Sequence, residues 1–189
     1  MSGDKFKDKY RIPSTRLADY DYSSPGRYFI TICVKDRRCC FGEIKNGEVV
    51  LSDLGKIAGD CWLEITKHFK NLELDEFVVM PNHVHGIIII LDDNIGDVET
   101  QHAASLRYKN KFGPSVTGSL PAIICSYKSA VTKLINQKYG ESNFAWQERY
   151  YDHVIKNDKE CQRISQYILG NSIKWSEDEN NPLNFKNEK

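Results

Sequence analysis

The stretch VVMPNHVHGIIIIL, residues 78–91, sets two imidazoles inside one of the most apolar runs of the chain. Side chains alternate faces along a β-strand, so His83 and His85 point the same way, about 6–7 Å apart. Ile87 and Ile89 continue on that face, and Val84, Ile88 and Ile90 take the other. A strand apolar on both faces belongs in the middle of a sheet, with its polar end emerging from an apolar body. Burying two unpaired imidazoles is costly, because each ring has a donor and an acceptor to satisfy. Carbonyls, waters or carboxylates at the strand end meet that demand; so does one metal ion shared by both rings. If the ion is Mg²⁺ or Mn²⁺, the site is open and completed by a further protein group and by substrate phosphate.

Outward from this strand, LELDEFVVM (72–80) reads as its hairpin partner across Pro81-Asn82, and RYFITICV (27–34) as an earlier strand. FGEIKNGEVVLS (41–52) carries an Asn-Gly turn between two short strand-like runs. Ser52 is the expected cap of a helix in which Leu54, Ile57, Ala58, Cys61, Ile65 and Phe69 recur at helical spacing. Ser119 opens a second helix to about residue 138, with Ile123, Tyr127, Val131 and Leu134 as its stripe. RYYDHVIK (149–156) reads as a strand, and Asp158 opens a last helix through about Asn171, with Cys161, Ile164 and Ile168 buried. Residues 92–118 are expected to form a mobile insertion, and residues 176–189 a frayed tail. The element order predicts an α+β fold in a single domain, 1–189: a ferredoxin-like or RRM-like antiparallel sheet with helices packed on one face.

Lys+Arg and Asp+Glu each number 26 in 189 residues, so no global basic field advertises nucleic acid, but the charge is uneven. Residues 105–139 hold six bases and no acid, whereas 71–99 hold seven acids and no Lys or Arg. The six cysteines form no CxxC pair, which reads as reduced thiols rather than a disulfide framework or zinc knuckle. The N-terminus has no apolar signal region, and GIIIIL is too short to span a bilayer. The expectation is a cytoplasmic protein with no membrane partner.

In the last helix Tyr167 and Asn171 are four apart, about 40° from each other in projection, so a hydroxyl and an amide face one side. Taken alone, Tyr167 also reads as an amphipathic core tyrosine and Asn171 as a helix-end residue. DEFVVMPNHVHGIIII together with a late YILGN helix resembles the IS200-like single-tyrosine HUH transposases, especially their REP-associated tyrosine transposase branch. YDYSSPGRYFITICVKDRRCCFGEI, FAWQERYYDHVIKND and ISQYILGN resemble segments of that branch, in that order. The resemblance implies the HUH nuclease fold, with His83 and His85 as metal-binding pair, Tyr167 as nucleophile and Asn171 completing the metal site. It implies a divalent cofactor, Mg or Mn, and single-stranded or hairpin DNA cut through a 5′-phosphotyrosine. Many relatives read Asn-Pro where this chain has Asn171-Ser172. Candidate DNA contacts are Arg37 and Arg38 after the first strand and Lys128 and Lys133 on the basic helix, together with RYKNK (107–111). A monomer with the helix folded back on its own histidines is expected, a homodimer being the alternative. The rival function is a non-catalytic hairpin-binding module derived from a transposase.

Overall fold

The computed structural model describes residues 5–6, 9–10, 20–92, 118–140 and 143–184. Four strands, β1 (Gly26–Cys33), β4 (Leu72–Val79), β5 (His83–Ile90) and β6 (Tyr151–Ile155), form one sheet in the order β4-β5-β1-β6, every neighbour antiparallel. Between β1 and β4 come the hairpin β2 (Gly42–Lys45) and β3 (Glu48–Leu51), then α1 (Asp53–Leu63) and a single turn, α2 (Ile65–His68). Helix α3 (Leu120–Tyr139) links β5 to β6, and α4 (Asp158–Gly170) follows β6. This is the expected α+β, ferredoxin-like arrangement with the histidine strand β5 inside the sheet. The expected insertion at 92–118 lies almost wholly outside the described residues.

Local chemistry sets the element boundaries. Asn46 and Gly47 turn the β2–β3 hairpin with φ of 53° and 80°, the left-handed values a two-residue loop demands. Ser52 caps α1, its Oγ accepting from the Gly55 N–H at 3.2 Å while donating to the Cys40 carbonyl at 2.7 Å. Asn157 caps α4, its Oδ1 accepting from the Glu160 N–H at 2.9 Å. In α3 the buried stripe runs Ile123, Tyr127, Val131, Ile135; Leu134, the expected fourth member, is exposed because the spacing stays at four.

Helices cover both faces of the sheet rather than the one expected. Tyr28, Ile30 and Ile32 of β1 and Val84, Ile88 and Ile90 of β5 pack with Trp62 of α1 and Tyr127 of α3. The opposite face carries Phe29, Val78, Ile87 and Ile89, which pack on Cys161, Ile164 and Ile168 of α4. The reason lies in β5 itself, which is apolar on both sides and needs cover on both. α4 is fastened there by Arg27 to Asp158, by His153 Nε2 to Glu160 Oε1 at 2.9 Å, and by Cys161 Sγ to Asp75 Oδ2 at 3.7 Å.

The tail expected to fray from 176 is packed through Asn184. Short 3₁₀ turns at Trp175–Glu177 and Pro182–Asn184 flank a loop in which Asp178, Asn180 and Asn181 are buried. Its asparagines serve as backbone partners: Asn181 Nδ2 donates to the Trp175 carbonyl at 2.9 Å, and Asn184 Nδ2 to those of Ser176 at 2.8 Å and Asp178 at 2.9 Å. Composition typical of disorder here supplies the side chains that close tight turns.

Candidate functional site

The polar end of β5 opens under the C-terminal end of α4 and the tail. His83 pairs with Cys33 and His85 with Thr31 in the β1–β5 register, and both imidazoles are buried with ring centroids 4.3 Å apart. Asn82 sets the proton on His83. Its Nδ2 donates to the carbonyls of Arg37 at 2.9 Å and Asn180 at 2.8 Å, so its Oδ1, 2.8 Å from His83 Nδ1, accepts. Nδ1 therefore carries the hydrogen, and His83 Nε2 presents a lone pair, buried and without a hydrogen-bond partner among the described residues. His85 is held alike, with Thr31 Oγ1 2.9 Å from its Nδ1, which leaves Nε2 facing the same side. Rings tethered at Nδ1 with Nε2 turned inward are what metal-binding histidines require.

Burial keeps both rings neutral. The His83 pKa falls to about 3, first through loss of solvent and then through the nearby Arg37 charge. That of His85 falls well below its usual value, through burial and then His83, with Asp178 opposing. Neutral imidazole is the ligating form.

Tyr167 and Asn171 both reach this place. The Tyr167 hydroxyl is 3.4 Å from His85 Nε2, and its ring meets those of His85 and Phe29 edge-on at 5.4 and 6.1 Å. It is 44% exposed, while Asn171 is buried. Burial, then Asp178 and Glu179, push the Tyr167 pKa up to about 12, against a hydrogen bond with Asn171 that lowers it. Asn171 Nδ2 donates to Asp178 Oδ2 at 3.1 Å, and its Oδ1 is buried without a partner among the described residues.

Asp178 is the residue that reading the sequence missed. Ligand atoms of His83, His85 and Asp178 all lie within 4.8 Å of one another, with all three residues buried. Two orphaned acceptors, His83 Nε2 and Asn171 Oδ1, and a buried carboxylate among neutral rings fit a divalent cation. No sequence pattern marks Asp178 among its acidic neighbours; the packing of the tail selects it.

The proposed DNA contacts fall in two places. Arg37 and Arg38 follow β1 beside the site, Arg37 Nη1 donating to the Glu179 carbonyl at 3.0 Å and Arg38 Nη2 to that of Asn143 at 2.9 Å. Next to them an open cleft of about 570 Å³ is lined by Lys35, Arg37 and Arg149, with Asp36 and Glu148 on the same walls. The cleft adjoins the tail through Pro182 and does not contain the histidines. Lys128 and Lys133 are not brought to the site, because α3 covers the opposite face of the sheet. Lys128 instead reaches the wall of that cleft, its Nζ donating to the carbonyls of two lining residues, Gln147 at 2.6 Å and Glu148 at 3.3 Å. Tyr127 is a core residue whose hydroxyl donates to the Ala58 carbonyl at 3.1 Å. No described helix is long and apolar enough to cross a membrane.

No protein-family model matches the chain. It is 39% identical over 166 residues to an uncharacterized protein of Haemophilus influenzae, covering 88% of this chain and 91% of that one. It is 26% identical over 155 residues to an H. influenzae protein described as "Putative REP-associated tyrosine transposase", covering 82% of this chain and 74% of that one. Among solved structures it shares its fold with a REP-associated tyrosine transposase bound to a REP hairpin: TM-score 0.56 and 18% identity, covering 87% of this chain and 74% of that one.

Proposed function

We propose that this chain, which belongs to one family with the uncharacterized H. influenzae protein it matches, is a single-domain metal-dependent nuclease and strand transferase acting on single-stranded or hairpin DNA. A transposase of the REP-associated branch is the specific form of that reading. The observation that carries it is the meeting of a half-exposed tyrosine hydroxyl with two buried, neutral imidazoles, 3.4 Å from the nearer. The fold shared with a hairpin-bound transposase supports the choice of substrate.

His83 and His85 would hold the cation through Nε2, with an oxygen ligand from the residues packed against them. When bound, the cation supplies positive charge to the scissile phosphate and withdraws electrons from it. Tyr167 Oη is the nucleophile. It attacks phosphorus, the phosphorus to O3′ bond breaks, and the products are a 5′-phosphotyrosine and a free 3′-OH. Reversal by another 3′-OH reseals the strand and regenerates the phenol without ATP. The phenol must lose its proton, which its exposed side lets pass to water, and the departing O3′ takes one from water in turn. Phe29 and His85 fix the ring, so Oη approaches from one direction. Arg37, Arg38, Lys35 and Arg149 would meet strand phosphates beside the site.

The test is incubation of a labelled hairpin with wild type, Tyr167→Phe and His83→Ala in Mn²⁺ or Mg²⁺. We expect a covalent adduct with wild type alone, and none when EDTA is present from the start. An adduct that persists in Tyr167→Phe assigns the nucleophile elsewhere. Cleavage unchanged by EDTA and by His83→Ala rejects the metal.

A further inference from the structure

Asn171, one helical turn beyond the tyrosine, is the expected oxygen ligand, yet the structure turns its nitrogen toward the histidine site's carboxylate. We propose that Asp178, carried on the tail, is the anionic ligand of the metal, and that Asn171 is the residue that positions it. This rests on the reading of His83 and His85 as the metal pair.

Four observations carry it. Asp178 offers an oxygen within 4.8 Å of ligating nitrogens on both histidines. Both its oxygens are aimed: Oδ2 accepts from Asn171 Nδ2 at 3.1 Å and Oδ1 from the Asn180 N–H at 2.6 Å. The opposite orientation of the Asn171 amide would set its oxygen against a carboxylate, so the donor assignment follows from charge. The loop bearing Asp178 is pinned to the histidine turn by Asn82 Nδ2 on the Asn180 carbonyl at 2.8 Å, and by Arg37 on that of Glu179 at 3.0 Å.

Electrostatics points the same way. A dication held by two neutral rings in a buried site, with the Arg37 guanidinium nearby, carries uncompensated charge. One carboxylate halves it, and Mg²⁺ and Mn²⁺ both favour carboxylate oxygen. An amide oxygen supplies a dipole and no charge. Asn171, hydrogen-bonded to the ligand, stands where supporting residues of metal sites stand, orienting the group that binds.

The experiment measures Mn²⁺ affinity of the full chain without DNA, from the free-ion electron paramagnetic resonance signal, for wild type, His83→Ala, Asp178→Ala, Asp178→Asn and Asn171→Ala. Expected is a loss on the order of 10- to 100-fold in Asn171→Ala, the range for a residue that orients a ligand, and a larger loss in both Asp178 variants. Asp178→Asn keeps the shape and an acceptor for the Asn180 N–H, so it reports charge even if Asp178→Ala loosens the tail. Both Asp178 variants binding within about twofold of wild type, while His83→Ala loses the metal, would overturn this assignment alone. Absence of Mn²⁺ binding by wild type would overturn the proposed metal dependence and this assignment with it. A larger loss in Asn171→Ala than in Asp178→Asn would return the ligand role to Asn171.

Discussion

At the scale of single residues, burial controls both halves of the site. Tyr167, at about 12, is almost wholly phenol near neutrality, and its phenolate fraction grows tenfold per pH unit below that value. Single-turnover cleavage should therefore rise with pH between about 6.5 and 8.5; a flat profile removes phenol ionisation from the rate-limiting step. His83 has the opposite shift. Its folded pKa, about 3, lies below the unfolded 6.5, so the unfolded chain takes up the proton first. That contribution to stability is complete above pH 6.5 and is lost as pH falls toward 3, at about 1.4 kcal/mol per unit for each histidine so held. In EDTA the urea midpoint should fall steeply from pH 6.5 to 4.5, and more shallowly in a His83→Gln, His85→Gln double variant; equal slopes would show that other groups govern acid unfolding. The histidine pair and the tyrosine were legible because each sits in a periodic element that fixes where its side chain points. Asp178 was not: it lies within Ser-Glu-Asp-Glu (176–179), and only tertiary closure distinguishes one acid from the next.

Among elements, β5 states its own requirements. Even-numbered residues 84 to 90 face α1 and α3, and Gly86 is where Trp62 lies against the strand: a Cβ there would meet Trp62 Cζ2 at 2.3 Å. That ring cannot retreat, being fully buried with Phe77 stacked at 6.0 Å and Tyr127 edge-on at 5.3 Å. Gly86→Ala should cost about 1–3 kcal/mol, read as a lower denaturant midpoint at unchanged slope; a neutral result would mean that the strand shifts to make room. The unbroken apolar run of β5 calls for cover on both faces, whereas element order suggests one. α1 and α3 are crossovers between parallel strands of the split βαβ units, and the right-handed rule puts both on one side. Among the described residues no strand follows α4, so nothing in that connectivity holds it to that side, and it turns to the face where Phe29 and Ile87 need burial. Removing its cap in Asn157→Ala should cost about 1 kcal/mol. Cleavage should fall with it, because the helix carrying Tyr167 frays from the end where Glu160 grips His153.

For the whole molecule, a net charge of zero says nothing of where the charges lie. The run of bases from 105 to 139 suggested α3 as the nucleic-acid helix, but run and face are different things. A helix stripe is legible from spacing, while the side of the sheet on which it lands depends on the whole topology. The histidines and tyrosine open on the α4 face, beside a cleft with Lys35 and Arg149, and Lys133 stands behind the sheet. Each cation that neutralises a DNA phosphate steepens the fall of affinity with salt, by about 0.7 in the log–log slope for a single strand and about 0.9 for a duplex. Lys35→Ala should lower that slope by roughly one such increment for hairpin binding, and Lys133→Ala should leave it unchanged. Lys128→Ala should lower stability by about 1–3 kcal/mol, since its ammonium serves two backbone carbonyls that would be left without it. All three are measured in the Tyr167→Phe background, which retains binding without cutting, so that affinity is not confounded with turnover. If Lys133→Ala rather than Lys35→Ala changes the slope, the DNA crosses the α3 face, and the strand must pass around the sheet edge to reach Tyr167.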